Sequence, residues 1–254
     1  MSTATAAAPA KEESSATDIP AISATGLGRS FGGYKAVSDL SFSLLKGQLV
    51  AFLGPNGAGK STTMRMLTGY LAPTTGTARV CGIDVAVDPV GVAERVGYLP
   101  ENGPFYPDMT PVALLSFLGR ARGMGAALPG RIDAVIEQCR LGEVTGKPVG
   151  KLSKGYRQRV GMAAAMLHDP EVLILDEPTA GLDPRQVEQV RTLLKGLAAS
   201  RTVLLSTHIL SEVRALADRI LMIHRGRLVH DGGPASLGST EREMEDRFRA
   251  LTAS

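Results

Sequence analysis

The chain has no tryptophan, and aromatic residues of all kinds make up 4% of its 254 positions, against a hydrophobic content of 44%. That balance is ordinary for an α/β protein, and the length allows a substantial apolar interior. Cysteine is almost as scarce. Cys81 and Cys139 lie far apart with no neighbours at the spacing of a zinc or redox site, so both thiols are expected to be packing residues in a reducing compartment. No uninterrupted apolar run approaches the roughly 18 residues a spanning helix needs, which excludes a chain that crosses a membrane by itself. Residues 1–20, rich in Ala, Ser and Thr, lack the continuous apolar stretch of a secretory signal and are expected to be a disordered tail. Charge is not concentrated either. The 28 Lys and Arg against 25 Asp and Glu leave a net +3, and the basic residues are scattered rather than massed in a stripe, so no nucleic-acid partner is expected.

What the chain does have is Gly54-Pro55-Asn56-Gly57-Ala58-Gly59-Lys60-Ser61-Thr62, which fits the pattern G-x-x-x-x-G-K-[ST]. The apolar run Gln48–Leu53 before it has strand length, and residues 61–71 after it carry Met64, Met66 and Leu67 with no proline. Strand, glycine loop and helix thus follow in the order a phosphate cradle requires. The glycines let several N–H groups turn inward, and the helix start adds its positive end, so an anion of polyphosphate size is expected there. Lys60 would meet the β- and γ-phosphates and the Ser61 hydroxyl would be a ligand to Mg²⁺. A glycine-rich turn that binds nothing is the plainer alternative, and the flanking elements argue against it.

Along the rest of the chain, residues 22–53 suggest short strands broken by Gly26, Gly28, Gly32, Gly33 and Gly47, with an antiparallel start to the sheet. Further strands are expected at 77–80 and 96–99, the second stopped by Pro100. Thr110-Pro111 is a helix-start signal followed by Val112, Leu114, Leu115 and Leu118 at helical spacing, and a second helix is expected over 131–140. This mostly helical stretch, about 101–168, reads as a lobe inserted into the core. Ser153 is placed to cap a helix over 154–168. Beyond it, strands at 172–175, 203–206 and 220–223 alternate with helices near 185–200 and 209–217, which argues for a parallel sheet. Met244, Phe248 and Leu251 share one face of a terminal helix, either docked or frayed, in a C-terminal extension over 235–254.

Val172-Leu173-Ile174-Leu175 suits a strand buried on both faces, and Asp176-Glu177 stand at its carboxyl end, where open α/β sheets bind ligands. In a magnesium–nucleotide site Asp176 would hold the metal and Glu177 would polarise an attacking water. Asp183 stands before Pro184 either as a further site residue or as a helix cap. His208 closes another strand candidate and would face the same edge, near the γ-phosphate. A guanine-reading Asn-Lys-x-Asp segment is absent, which argues against a GTPase.

Taken together, residues 22–233 resemble the ATP-binding subunit of an ABC transporter. The loop at 54–62 is similar to the family's Walker A, Val172–Glu177 to Walker B with the catalytic glutamate, Ala180-Gly181-Leu182-Asp183 to the D-loop and His208 to the switch histidine. Phe31 occupies the place of the aromatic that stacks on adenine, with Tyr34 a substitute. Two stretches depart from the pattern. Leu152-Ser153-Lys154-Gly155-Tyr156 stands for the signature Leu-Ser-Gly-Gly-Gln, keeping Ser153 and Gly155; if the replaced glycine needs a positive φ, Lys154 is strained by about 1 kcal/mol or more. Glu101 stands for the Q-loop glutamine and keeps an oxygen for Mg²⁺ or water while losing the amide donor. Both variants look like those of bacterial exporter ATPases linked with gliding motility, copper-site maturation and drug or polysaccharide export.

The resemblance implies an α/β fold: a P-loop NTPase core, mostly parallel with an antiparallel β portion, over about 21–234, carrying the helical lobe. It implies an ATPase with ATP and Mg²⁺ as ligands. Its partners would be a twin in a head-to-tail, nucleotide-sandwiched homodimer, or a second ATPase subunit, and a separate membrane permease. It would lie peripherally on the cytoplasmic face of the cell membrane. The alternative is a soluble ABC-type ATPase acting on ribosomes or DNA. Against it stand a single phosphate loop, where translation-linked members carry two cassettes, and no long coiled-coil insertion.

Overall fold

A computed structural model describes residues 19–253 apart from Asn102, Pro104 and Phe105; the expected tail lies almost wholly outside the described residues. The chain enters through a hairpin of β1 (Ile22–Phe31) and β2 (Tyr34–Leu44), turned at Gly32 and Gly33, both with positive φ. These are two long strands, not the several short ones expected. Gly26 and Gly28 sit inside β1, where shifts of register between Ala24, Leu27 and Arg29 absorb them as irregularities of the ladder. Next, β3 (Leu49–Leu53) starts a second sheet and runs into α1 (Lys60–Leu67). β4 (Thr75–Val80) and β5 (Ile83–Asp84) return to the first, completing an antiparallel sheet of order β2-β1-β4-β5.

The helix α2 (Pro89–Arg95) is not among the expected elements, although Asp88-Pro89 is a cap-plus-proline start and the Asp88 side chain accepts a hydrogen bond from Gly91 N–H at 2.8 Å. It leads into β6 (Val96–Leu99). Three helices follow: α3 (Pro111–Ala121), α4 (Leu128–Gln138) and α5 (Lys154–Met166). Thr110 caps α3, accepting from Ala113 N–H at 3.2 Å. α4 starts at Leu128 rather than 131 because Pro129, with φ already set for a helix, occupies its first turn. The chain then alternates through β7 (Val172–Leu175), α6 (Pro184–Ala198), β8 (Thr202–Thr207), α7 (Leu210–Leu216) and β9 (Arg219–His224), before β10 (Arg227–Gly232), which is not among the expected elements, and the expected terminal helix α8 (Glu241–Thr252). The second sheet has the order β10-β9-β3-β8-β7-β6, parallel except for β10. The helices α3–α5 are thus the crossover between the adjacent strands β6 and β7.

Strand side chains alternate between faces, and this divides the interior in two. Leu49, Ala51, Leu53, Leu173, Leu175, Val203 and Leu205 point into one core, with α3–α8 above them. Val50, Phe52, Val172, Ile174 and Leu204 point into the other, against β1, β2, β4 and α1. Each fully buried aliphatic side chain contributes about 1.5–3 kcal/mol. α5 lies directly on β6: a Cβ on Gly97 would run into the Ala165 carbonyl. α8 is docked, with Met244 buried and a capping box between Thr240 and Glu243.

At the end of α5, where the last carbonyls of a helix lack partners within it, Arg131 of α4 donates to the carbonyls of Met166 and Leu167 at 2.9 and 3.0 Å, the first of which also accepts from Asp169 N–H at 3.1 Å. His168 follows, its Nε2 donating to the Val96 carbonyl at 3.1 Å. Burial, then the nearby Arg122, push its imidazole down to about 4 from the usual 6.5. The folded state thus binds the neutral ring. His168 contributes stability above pH 6.5 that is lost as pH falls from there toward 4. Urea unfolding across that window should show a shallower acid decline for His168→Gln than for the parent chain; parallel curves would refute the assignment.

Candidate active site

Because β3, β7, β8 and β6 are parallel, their carboxyl ends open on one edge, and the chain leaves them at Gly54, Asp176, His208 and, one residue past Pro100, Glu101. The loop after β3 is tight. Gly59 has φ 106° and a Cβ there would lie 2.6 Å from the Ala36 carbonyl, so only glycine fits. Gly59 precedes α1 and offers no side-chain cap, which leaves the first N–H groups of that helix free to meet an anion. The Lys60 ammonium, 6% exposed, donates to the carbonyls of Gly54 at 2.8 Å and Pro55 at 3.2 Å and lies 3.4 Å from Glu177 Oε1.

Glu177 is itself 8% exposed and has φ 50°, a left-handed backbone that costs a non-glycine residue roughly 1 kcal/mol. Its N–H donates to Ser206 Oγ at 2.9 Å, and that hydroxyl donates to Asp176 Oδ1 at 2.6 Å. One serine on β8 therefore ties down both acids at the end of β7. The carboxylate of Glu177 then reaches His208, whose Nδ1 lies 3.0 Å from Oε2 and 3.1 Å from Oε1. Asp176 is 2% exposed, and its N–H continues the ladder to the Leu99 carbonyl at 2.8 Å. Beside it the phenol of Tyr98 is pushed up, first by burial and then by the Asp176 carboxylate, so it stays neutral.

These groups line a cavity of about 540 Å³. Of the residues singled out in the sequence, Phe31, Asn56, Gly57, Gly59, Lys60, Ser61, Thr62, Glu101, Glu177 and His208 form its walls, with Tyr34. Gly54, Pro55 and Ala58 lie in the same loop, and Asp176 stands behind Glu177. Phe31 is 45% exposed, with the Arg29 guanidinium 4.7 Å from its ring centre. Three further residues lie outside both the walls and the loop. Ser153 is the N-cap of α5, accepting from Tyr156 N–H, and Gly155 faces the Gln186 side chain. Asp183 caps α6, accepting from Gln186 N–H at 3.0 Å. Lys154 carries no strain: it is the first residue of α5 and has no positive φ. Its side chain lies over Gly181. Cys139 is buried as expected, whereas Cys81 is only half-buried.

A family profile described as ABC transporter matches residues 37–180, more than half of the chain. The chain belongs to the ABC transporter family. A second profile, described as an AAA domain, putative AbiEii toxin, Type IV TA system, overlaps it over residues 147–214. This ABC protein is 41% identical to the bacitracin transport ATP-binding protein BcrA of Bacillus licheniformis over 83% of its own length and 69% of that chain. It is 39% identical to the Nod factor export ATP-binding protein I of Ralstonia nicotianae over 86% of its length and 68% of that chain. The solved ATP-binding subunit of an ABC transporter superposes with a TM-score of 0.80 at 27% identity, over 91% of this chain and 98% of that one. The protein is thus an ABC-transporter ATPase subunit with the P-loop α/β fold.

Sequence reasoning misses Ser206 as a site residue, although a Ser-Thr-His run ending an apolar strand is a readable sign of polar contacts at the sheet edge. Ser206→Ala leaves a buried N–H and a buried carboxylate oxygen without their partner, at a cost of about 1–3 kcal/mol. Denaturant unfolding should show that loss, and an unchanged midpoint would contradict the bridging role.

Proposed function

We propose that this chain is the ATPase of an exporter, in which ATP is cleaved at the Lys60–Glu177–His208 cluster and drives a separate membrane permease. One observation carries the reading: a buried ammonium and a buried carboxylate 3.4 Å apart, beside the uncapped start of α1, in a cavity of about 540 Å³. Lys60 now satisfies its charge on two loop carbonyls and Glu177, and phosphate oxygens are stronger acceptors for the same donor. Glu177, left with His208 as its neighbour, would take a proton from the attacking water. Phe31 offers an exposed ring face to a nucleobase.

Mg²⁺ would be held by Ser61, with Asp176 and Glu101 reaching it directly or through water. Among the described residues no group of three or more His, Cys, Asp or Glu is gathered for a metal. That suits an ion which takes one or two protein ligands and completes its shell with phosphates and water. Its chemistry would be to neutralise charge gathering on the phosphates.

Ser153 and Gly155, at the start of α5 and outside the cavity walls, would serve the nucleotide of a second copy or of another ATPase subunit, in a head-to-tail pair. Export is supported by the printed function of the Nod factor relative. Among the described residues no helix is long and apolar enough to cross a membrane, so the spanning part would come from the permease, with this chain peripheral on the cytoplasmic face.

Glu177→Gln should bind magnesium-ATP with near-parent affinity yet turn over roughly a hundredfold or more slower. Lys60→Ala should instead lose about 1.5–3 kcal/mol of nucleotide binding. Isothermal titration and a phosphate-release assay separate the two, and parent-like turnover in Glu177→Gln would remove the glutamate from its role.

A further inference from the structure

His208 is the most exposed member of the cluster, and nothing in its own side chain fixes the turn that carries it. The residue before it does. Thr207 Oγ1 accepts from Ile209 N–H at 3.0 Å and donates to Glu212 Oε2 at 2.7 Å. Glu212 is 2% exposed, in the first turn of α7, and among the described residues it forms no ion pair. A carboxylate buried against a neutral hydroxyl is costly to keep, and α7 does not need it as a conventional cap: a glutamate three residues into a helix ordinarily reaches back to the N-cap N–H. Here the N-cap is Ile209, and its N–H reaches the carboxylate only through the Thr207 hydroxyl. The relay Ile209 N–H, Thr207 O–H, Glu212 carboxylate therefore closes a ring around residue 208.

The geometry points to Thr207 and Glu212 as positioning residues that hold His208 against Glu177. Ser206 anchors the same three-residue run from the other side, to the acids of β7, so the histidine lies between two pinned neighbours. With the relay cut, the turn gains freedom and Nδ1 no longer rests 3.0 Å from Glu177 Oε2. Nucleotide affinity is governed by Lys60 and α1. Thr207 meets their loop only through its main-chain carbonyl, which accepts from Gly54 N–H at 3.3 Å and is kept in every variant, whereas the side-chain relay runs to Ile209 and Glu212, so the loss falls on turnover and not on binding.

This inference rests on the proposed cleavage of ATP at the Lys60–Glu177–His208 cluster, and the test keeps the two apart. The purified full chain is assayed with magnesium-ATP as parent, Thr207→Val, Thr207→Ser, Glu212→Ala, Glu212→Gln, His208→Ala and the double variant Thr207→Val/His208→Ala. Thr207→Val and Glu212→Ala should lower kcat roughly tenfold to a hundredfold, the scale of a misplaced catalytic group, while KM for ATP stays within about twofold. Thr207→Ser and Glu212→Gln, which keep a donor and an acceptor, should restore most of kcat. The double variant should be no slower than His208→Ala alone, since residues that act through one another are not additive.

Parent-like kcat in Thr207→Val, multiplicative losses in the double variant, or a shared fall in kcat and affinity would each overturn the assignment. So would unfolding of both Thr207→Val and Glu212→Ala, because the pair would then hold the fold rather than the histidine. If parent and variants alike released no phosphate, the proposed cleavage at this cluster would fall, and with it the positioning role. If His208→Ala matched the parent, only the histidine and its supports would be lost.

Discussion

A lysine ammonium cannot remain buried without acceptors around it, and Lys60 has three: two carbonyls of its own loop and the carboxylate of Glu177. That requirement ties together parts of the chain more than a hundred residues apart. The loop after β3 must bend back far enough for Gly54 and Pro55 to face the ammonium, and β7 must run parallel to β3 so that its end arrives at the same edge. β8 must lie between them to offer Ser206 to the acids. The order of the second sheet, with β8 flanked by β3 and β7, meets all three conditions at once.

The supporting interactions have unequal weight. Core burial across the two apolar layers is worth far more in sum, but it is indifferent to where Glu177 points. The polar contacts at the strand ends are few and short, between 2.6 and 3.4 Å, and each is buried or half-buried, where losing a partner costs more than gaining one contributes. The left-handed backbone at Glu177 belongs with them. It is held by the Ser206 hydroxyl, and it turns the side chain toward Lys60 instead of along the strand.

Much of this is legible in the order of residues alone. The phosphate loop, the apolar run ending in two acids and the histidine after a strand are local signals, and each depends on residues adjacent in the chain. The buried parallel strands can be read from continuous Val, Leu and Ile. What cannot be read depends on distant partners. β10 pairs only because β9 presents an open edge, and nothing in its mixed sequence Arg227–Gly232 alternates cleanly. Gly26 and Gly28 look like breaks but are carried within one strand by pairing on both sides, to β2 and β4. The part played by Ser206 and the burial of Glu212 follow from contacts across strands or turns, which a spacing pattern does not encode.

The division of the interior into two apolar layers by alternate residues of the same strands has a consequence for how such a chain can vary in length. Adding or removing one residue within β3 would send Val50 and Phe52 to the layer built for Leu49, Ala51 and Leu53, and the reverse. Both layers would be mispacked together, and the glycine loop would leave the strand facing the wrong way. Insertions are therefore confined to the outer turns and to the long excursion between β6 and β7, where the chain can lengthen without changing the parity of any buried strand.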